Sequence, residues 1–396
     1  MKPKVKFNKR ASSRTTRIAF LANDTPFFFR HFIPAIEAAA AVQAQIFALL
    51  PTTPDNRVRS RFAGSMEVLE TPQMRRKSPS WAFARKVLSI VSRLRHVEPD
   101  IIVGYSIRSI IALTIAFPLL NAKRYVFVVT GLGTTDIASS QKSRFFRAIF
   151  YQLMRLANRS SRVWFIFENQ SDASRIGIPP TKRMRHLNLM GAGVDPDEFQ
   201  PESKPRAPPL RLATVGRLVW SKGTDLAAEA VSSLVKEGYE ISLDIYGSPD
   251  PANPLPVKDS TIGEWINNHH GVHYRGYVED VPRIWREHHV GIFPTRGGEG
   301  LPRALLEAAA SGVPTVVTRV PGCEDFVRDG IEGFIVEPES VEELKSAIKK
   351  FVHDPLLIAK LGQASRDRVL QTATNEIVQR RYTSIFSLEN GDRRVA

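Results

Sequence analysis

The chain has 396 residues, of which 43% are hydrophobic and 24% charged, and its formal net charge is +15. This length predicts two domains of ordinary size, and the composition excludes a fibrous or disordered chain. The single cysteine, Cys323, excludes an internal disulfide and fits a reducing compartment.

The positive charge is concentrated in the first half. Up to Gln200 the chain has 31 Lys/Arg against 13 Asp/Glu, and the remainder has 24 against 27. A one-sided positive field attracts polyanions such as nucleic acid, anionic lipid headgroups or a diphosphate. No secretory signal is visible, and the best membrane-span candidate, Ser109–Leu120, is too short and contains Pro118. We therefore expect a protein that is soluble or lies on a membrane surface.

The first half begins with a basic tail, residues 1–16, and continues as an alternation of apolar strands and helices. This alternation predicts a parallel sheet covered by helices, forming a first Rossmann-like domain over residues 17–200. The predicted strands are Arg17–Ala22, Gln45–Leu50, Pro99–Val103, Arg124–Thr130 and Arg162–Phe167, and the predicted helix between the first two is Ile33–Ala44.

Two loops of the first domain leave predicted strands and are expected to face the cleft. One is Asn23–His31, in which Arg30 and His31 are candidates for contact with an acceptor diphosphate or for proton transfer. The other contains Gly131 and Gly133. Both are assigned to the acceptor side because ligands bind where parallel strands end.

Two stretches of the first domain predict basic amphipathic helices, Trp81–Val97 and Lys142–Leu156. In the second, Phe145, Phe146, Ile149, Phe150 and Leu153 share one side, and the arginines lie mostly away from it. Such helices are typical of attachment to anionic bilayers. The alternative is that each apolar stripe faces the core. Together with the basic tail, the two helices favour attachment to an anionic membrane surface.

A Pro-rich, charged segment, Asp195–Leu210, reads as a linker, after which the alternation restarts. A second Rossmann-like domain is predicted over residues 201–375, and residues 376–396 should form a C-terminal helix that packs back towards the first domain. Two such domains leave an interdomain cleft. The predicted strands are Leu210–Val215, Ile241–Tyr246, Gly271–Tyr274, Val290–Phe293, Val313–Val317 and Gly333–Val336; the predicted helices are Gly223–Lys236, Thr261–Asn268, Pro282–Glu287, Pro302–Ala310, Val341–Phe351 and Glu376–Leu388.

The stretch TVGRLVWSKGT, Thr214–Thr224, puts Arg217 and Lys222 on the loop between the first strand and helix of the second domain. Two cations there suit a diphosphate, because Arg offers a planar fork and Lys a point charge. Either cation alone is more often a solvated surface charge.

The stretch RGGEGLPRALLEAAASGVP, Arg296–Pro314, places a glycine-rich loop before a helix. The loop leaves the strand Val290–Phe293, and Pro302 suits the first helical position. The backbone N–H groups of Gly300 and Leu301 are therefore expected at a helix N-terminus, where an anion is favoured.

Two carboxylates belong to the same stretch. Glu299 lies in the loop and can accept hydrogen bonds from hydroxyls, and Glu307 lies within an Ala/Leu run, where a bound diol would satisfy it. The alternative for Glu307 is an ordinary ion pair with Arg303, four residues earlier. Together these groups suit a sugar, a phosphate and a ribose.

The combination of GR…KG, EGLPRALLE and PGCE resembles the nucleotide-sugar site of the retaining glycosyltransferases of family four, which have the GT-B fold. The resemblance implies that Arg217 and Lys222 hold the donor diphosphate, that Glu299 and the adjacent amides hold the sugar, and that Glu307 binds the ribose. It assigns Arg217, Lys222 and Glu299 as catalytic, and Gly216, Val278, Gly300, Leu301, Pro302 and Glu307 as donor-binding, with Val278 in the turn Arg275–Val278 that recognises the base.

The motifs TGLGTTD, FENQSD and GAGVD sharpen the resemblance to one branch of this family. That branch transfers hexoses or N-acetylhexosamines from a UDP-sugar to polyprenyl-diphosphate-linked sugars for bacterial surface polysaccharides. Many members carry a His after the Pro-Asp strand, but this chain has Val103, Gly104 and Tyr105 after Pro99–Asp100, and Arg108 would supply charge there instead.

The resemblance implies transfer with retention, in which the acceptor proton passes to a donor phosphate oxygen. No metal and no cofactor is expected. Asp195–Asp197 has the pattern of a D-x-D metal motif, but it lies in the predicted linker and is interpreted as structural. The expected location is the cytoplasmic face of the inner membrane, as a peripheral protein. Two alternatives stay open: another GT-B enzyme such as a sugar-nucleotide epimerase, and a basic membrane- or nucleic-acid-binding module. No zinc spacing or RNA-binding aromatic motif supports nucleic-acid binding.

Overall fold

A computed structural model describes residues 15–54, 62, 64–74, 80–133, 141–178, 185–251 and 253–387. Residues 1–14 of the basic tail, Thr134–Asp136 of the TGLGTTD motif and residues 388–396 lie outside the described part.

The first domain is built on a seven-stranded sheet in the order β3-β2-β1-β4-β5-β6-β7. Every pair of neighbouring strands is parallel, so the strands end at one common edge. The strands are β1 Arg17–Leu21, β2 Gln45–Leu50, β3 Met66–Glu70, β4 Ile101–Tyr105, β5 Arg124–Val129, β6 Val163–Phe167 and β7 His186–Asn188.

Helices cover this sheet, and they lie between its strands in the chain. The sequence prediction was wrong for Asn23–His31, where Asp24 caps a short helix by accepting the Phe27 N–H at 2.8 Å. Three consecutive phenylalanines hid the helical period there. The helices are α1 Thr25–His31, α2 Ile33–Ala41, α3 Ser80–Val97, α4 Ser106–Ala116, α5 Gln141–Ala157 and α6 Gln170–Ile176.

The second domain has a six-stranded parallel sheet in the order β10-β9-β8-β11-β12-β13. Its strand order reverses beside β8, which is where ligands bind in open α/β sheets. The strands are β8 Leu210–Val215, β9 Ile241–Tyr246, β10 Val272–Gly276, β11 Val290–Phe293, β12 Thr315–Thr318 and β13 Gly333–Val336.

Helices of the second domain occupy the crossovers between these strands and the end of the chain. The long helix Leu356–Thr372 was missed by the sequence prediction, because its polar and apolar residues show little segregation to one face. The helices are α7 Thr224–Lys236, α8 Asp259–Asn268, α9 Val281–Glu287, α10 Arg303–Ala310, α11 Cys323–Phe326, α12 Val341–His353, α13 Leu356–Thr372 and α14 Asn375–Phe386.

Helix α14 returns to the first domain. Val378, Tyr382 and Phe386 are buried in the same cluster as Phe20 and Ile36 of that domain. The ring centroids of Phe20 and Phe386 are 6.0 Å apart. The last helix therefore connects the two domains a second time, and the predicted architecture of two Rossmann-like domains is confirmed.

The outer face of α5 is apolar, and none of the described residues covers it. Phe145 and Phe146 are 67% and 65% exposed, and Ile149 and Leu156 are also exposed. Phe150, which the sequence analysis placed on the same side, is buried in the core. The core-facing alternative therefore fails for most of this stripe.

Helix α3 behaves differently, because most of its apolar residues face the core. Val87, Ile90 and Leu94 are buried, whereas Trp81 and Leu88 are exposed. Among the described residues, no helix is both long and apolar enough to cross a membrane, and Ser109–Leu120 instead falls largely in α4, whose Ile110 and Leu113 are core residues.

Candidate functional site

The strongest candidate site lies at the carboxyl ends of β8 and β11. Lys222 Nζ donates a hydrogen bond to Glu299 Oε2 at 2.7 Å, and both side chains are largely buried. The pocket around them is lined in part by Gly216, Arg217 and Pro302. The two motifs that the sequence analysis singled out separately are thus parts of one pocket.

Backbone geometry places Lys222 in this pocket. Trp220–Lys222 forms one 3-10 turn, which ends at Gly223 with φ +66°. A Cβ at Gly223 would clash with the carbonyl group of Pro294, so the turn needs glycine to approach the β11 loop.

Arg296 connects the loop after β11, to which it belongs, with the segment after β8 that carries Lys222. The sequence analysis did not assign it a role. Its guanidinium binds both carboxylate oxygens of Asp225, at 2.9 and 2.7 Å, and donates to the Trp220 carbonyl at 2.7 Å. It also pairs with Glu339 and lies 4.6 Å from the Trp220 ring centroid. This bidentate, stacked geometry fixes the loop that carries Lys222.

Arg217 occupies the outer part of the pocket. Its guanidinium donates to Asp250 Oδ2 at 2.7 Å, and its side chain is 58% exposed. An exposed pair of this kind is weak, so the guanidinium is available to exchange Asp250 for an anionic ligand.

Glu307 lies in α10 with its side chain only 10% exposed, and Arg303 Nε donates to its Oε1 at 2.8 Å. The alternative ion pair therefore forms. Burial nevertheless raises the pKa of Glu307, and the Arg303 charge opposes the rise. A buried carboxyl held by one cation retains capacity to accept hydrogen bonds from a diol.

The turn after β10 is connected to the same pocket through Gly247, which contacts the pocket residue Gly216. Val278 is half-buried against the core of the second domain. The Gly276 carbonyl accepts the Gly247 N–H at 2.8 Å, and a Cβ at Gly247 would collide with the carbonyl of Gly216. The backbone of Gly247 thus lies between the predicted base-recognition turn and Gly216.

The glycine-rich loop before α10 packs directly against the first domain. Gly133 N–H donates to the Gly298 carbonyl at 2.7 Å, and Gly300 N–H donates to the Thr130 carbonyl at 3.2 Å. A Cβ at Gly131 would meet the backbone of Gly300. The loop that carries Gly131 and Gly133 therefore lies in direct contact with the loop that carries Glu299.

These contacts change the expectation for one of the two backbone amides. Gly300 N–H is held by the Thr130 carbonyl, so this amide is not open to an anion in this conformation. Pro302 precedes α10 as its cap rather than occupying the first helical position. The partner of Gly300 could not be predicted from the sequence, because it comes from the other domain.

Glu168 follows β6 within the FENQSD motif, and its side chain is buried. A Cβ on Gly300 would lie 2.5 Å from Glu168 Oε2. Burial raises the pKa of Glu168 to about 8, and the Leu301 N–H opposes this while Asp172 and Glu299 add to it. The sequence offered a signal for this residue, since Glu168 directly follows a predicted strand and belongs to the FENQSD motif.

His31 and Arg30 lie at the end of α1 and face the second domain. Burial lowers the pKa of His31 to about 3, and the charges of Arg303, Arg30 and Arg217 lower it further. Its Nδ1 lies 3.0 Å from the Phe27 carbonyl, and its ring stacks on Phe27. His31 is therefore a neutral imidazole near the pocket, and Arg30 is exposed.

Arg108 lies on α4 and donates to the Met74 carbonyl at 2.6 Å. This contact ties α4 to the segment that follows β3. Met74 also donates its N–H to Asn23 Oδ1 at 2.6 Å, next to the start of α1.

Within the described ranges, no group of three or more His, Cys, Asp or Glu side chains could hold a metal ion. Asp195 Oδ1 accepts the backbone N–H of Asp197 at 2.9 Å, which makes this acid part of a turn. The expectation of a metal-free reaction stays a prediction.

Known proteins resemble this chain in its second domain and in its fold. Residues 209–354 match the family described as "Glycosyl transferases group 1". The capsular polysaccharide biosynthesis glycosyltransferase CapM of Staphylococcus aureus is 28% identical over 176 residues, 44% of this chain and 45% of CapM. The chain thus spans less than half of the length of that relative.

A relative from Campylobacter jejuni aligns over nearly the whole length. It is the N,N'-diacetylbacillosaminyl-diphospho-undecaprenol alpha-1,3-N-acetylgalactosaminyltransferase, 24% identical over 388 residues, 92% of this chain and 96% of that protein. Among solved structures, Anabaena Alr3699/HepE in complex with UDP and glucose superposes with a TM-score of 0.73 at 14% identity, covering 94% of this chain and 100% of that one. The fold is GT-B.

Proposed function

We propose that this chain, whose residues 209–354 match the group 1 glycosyl transferase family, moves a sugar from a nucleoside-diphosphate donor to a lipid-linked acceptor. The acceptor would be a polyprenyl-diphosphate-linked sugar used for bacterial surface polysaccharide. The observation that carries the proposal is the Lys222–Glu299 ion pair in a pocket that Arg217 also lines.

The chemistry of the pocket suits a diphosphate leaving group. Negative charge grows on the donor diphosphate as the bond to the sugar breaks, and Arg217 and Lys222 are placed to stabilise it. Glu299 would exchange its bond with Lys222 for the sugar hydroxyls when the donor binds. Glu307, buried beside Arg303, would accept hydrogen bonds from the ribose diol.

The acceptor would enter from the first domain. The loop at Gly131 and Gly133 contacts the loop that carries Glu299, and Arg30 and His31 approach the pocket from α1. Since His31 is neutral, it would orient the acceptor rather than carry charge. The acceptor hydroxyl would lose its proton to a donor phosphate oxygen, so the reaction would retain the anomeric configuration without a protein nucleophile or a metal.

Two features of the relatives support the proposed donor class and the proposed acceptor class. The Campylobacter relative is named for an undecaprenyl-diphosphate-linked substrate, and the Anabaena structure holds UDP. We assign UDP-sugar as the donor class and a polyprenyl-diphosphate-linked sugar as the acceptor class. An epimerase would need the nucleotide pocket but no lipid acceptor.

The uncovered face of α5 supports attachment to an anionic membrane as a peripheral protein on the cytoplasmic side. Phe145, Phe146, Ile149 and Leu156 are exposed on a helix that also carries exposed Arg144 and Arg155. Apolar residues between cations are typical of interfacial helices. Nucleic acid is not a proposed partner.

The test is to incubate purified protein with labelled UDP-sugars and a polyprenyl-diphosphate-linked sugar. The proposal expects label in the lipid fraction for at least one donor. Free sugar or an epimerised nucleotide sugar as the only product, with no labelled lipid, would favour the epimerase alternative. Donors are ranked first by thermal shift, because a bound donor stabilises the folded state by mass action.

A further inference from the structure

Thr295 is a buried threonine of the pocket to which the proposed reaction gives no role. It follows β11, lines the same pocket as Lys222 and Glu299, and is only 2% exposed. Its Oγ1 donates a hydrogen bond at 2.9 Å to the carbonyl of Ser221, the residue directly before Lys222. A hydroxyl that follows β11 thus holds the backbone that carries the cation after β8.

The orientation of this hydroxyl is fixed by a second hydrogen bond. The Gly297 N–H donates to Thr295 Oγ1 at 3.3 Å. Because the oxygen accepts from Gly297, its single proton is directed to the other side, towards Ser221. The same atom therefore connects the turn that contains Lys222 with the glycine pair that precedes Glu299.

A second threonine holds Thr295 from the next strand. Thr318, the last residue of β12, is buried, and its Oγ1 donates to the Thr295 carbonyl. The strands β8, β11 and β12 are neighbours in the sheet, so Ser221, Thr295 and Thr318 form one line of hydrogen bonds across their carboxyl ends. Two neighbouring strands thus contribute to the position of the segment that follows β8.

The position of the Lys222 charge depends on its backbone, because the Lys side chain is flexible and acts as a point charge. The Ser221 carbonyl accepts two hydrogen bonds, from the Arg296 N–H at 2.8 Å and from the Thr295 hydroxyl at 2.9 Å. The first comes from the backbone and is available with any side chain at position 296 other than proline. The Thr295 hydroxyl is the part of this anchor that a conservative substitution removes.

We propose that Thr295 is a positioning residue of the donor site, whose hydroxyl fixes Ser221 and thereby aims the Lys222 ammonium at the donor diphosphate. This inference rests on the nucleotide-sugar site proposed above. Thr295 acts through Lys222 rather than by contact with the diphosphate, so its effect on binding requires that Lys222 is present.

The experiment is equilibrium dialysis of the full chain with labelled UDP, which measures weak as well as tight binding. Thr295→Val keeps the shape of the side chain and removes the hydroxyl, whereas Thr295→Ser keeps the hydroxyl. The matched control is Thr315→Val on neighbouring β12. Thr315 is fully buried, and its hydroxyl has no hydrogen-bond partner among the described residues.

We expect Thr295→Val to weaken UDP binding by about tenfold, because the hydrogen bond that fixes the Lys222 segment is lost. Thr295→Ser should bind UDP within about threefold of wild type, since it restores that bond, and Thr315→Val should match wild type. In a Lys222→Ala background, Thr295→Val should change UDP affinity by less than about twofold, since the cation that it positions is gone.

The comparison of the two backgrounds separates positioning from a merely structural role. A general loosening of the pocket would weaken UDP binding to the same extent with and without Lys222. Circular dichroism verifies that each variant is folded. If Thr295→Val does not fold, Thr318→Val takes its place, with an expected loss of about threefold that again disappears in the Lys222→Ala background.

Equal UDP affinity of wild type and the folded threonine variant overturns the inference, and so does an equal loss in both backgrounds. If Lys222→Ala still weakens UDP binding in either case, the proposed donor site survives and only the role of Thr295 fails. If folded wild type does not bind UDP, the donor site and the inference fail together.

Discussion

Lys222 Nζ lies 2.7 Å from Glu299 Oε2, although 77 residues separate the two in the chain. The first residue ends a turn after β8 and the second belongs to the loop after β11, and these strands are neighbours in the sheet. An acid and a cation that hold each other at the end of two adjacent strands form a polar site that is assembled before any ligand arrives.

Removing either partner of this pair should abolish transfer without unfolding the protein. We expect Lys222→Ala and Glu299→Gln to lower kcat by about a hundredfold or more, because each removes a group that acts on developing charge or on the sugar. Each variant should remain folded with a lower melting temperature, because the change leaves one largely buried side chain without its partner. The control is Lys236→Ala at the exposed end of α7. Activity within twofold of wild type in both pocket variants would contradict the role of the pair.

Arg296 should contribute to stability and donor binding through its position between two loops. Arg296→Ala removes a bidentate bond to Asp225 and a bond to the Trp220 carbonyl. We expect a loss of about 1–3 kcal/mol in the free energy of unfolding, measured by urea denaturation, and a higher KM for the donor. Arg296→Lys should recover only part of this loss, since Lys cannot reproduce the planar fork. Full recovery by Lys would refute the geometric argument.

The exposed apolar face of α5 should carry membrane attachment. Replacing Phe145 and Phe146 by Ser should reduce binding to vesicles that contain anionic lipid by about tenfold or more. Stability should be unchanged, because both side chains are about two-thirds exposed. Sedimentation with vesicles of increasing anionic content measures the effect, and high salt should weaken binding of wild type. Unchanged sedimentation of the double variant would show that another surface binds the bilayer.

His31 should affect stability at acidic pH. Burial and three nearby arginines lower its pKa to about 3, below its ordinary value of 6.5. The unfolded chain therefore binds more protons between these values, and wild type loses stability as pH falls through that range. His31→Gln should remove this contribution, so the variant should lose less stability than wild type between pH 6.5 and 4 in denaturant titrations. Parallel losses in the two proteins would mean that His31 ionises freely when folded.

The sequence predicted several strands at their observed bounds, including the partly exposed β9, whereas the bounds of the fully buried β4 and β12 were wrong by up to two residues. β2 and β11 were placed at their observed bounds, because a continuous apolar run of this length between turns has few other interpretations. β3 was missed, since its residues are half-exposed and lack a clear period. Helix α1 was missed because three phenylalanines in a row resemble a strand or loop as much as a helix.

The candidate pocket was predictable for a different reason. Arg217, Lys222 and Glu299 each follow a strand in the chain, and parallel strands end at one edge. The state of the Gly300 amide was not predictable, because it depends on Thr130 of the other domain. Such contacts arise only from how the two sheets face each other, which no local pattern records.

The most direct test of the account is the initial rate of sugar transfer from a labelled UDP-sugar to a polyprenyl-diphosphate-linked sugar by wild type, Arg217→Ala and Glu307→Ala. The control is Lys236→Ala, and circular dichroism verifies that all four proteins are folded. The account predicts that both pocket variants lose about a hundredfold or more in kcat/KM while the control matches wild type. Folded Arg217→Ala and Glu307→Ala proteins that transfer sugar as fast as wild type would contradict it.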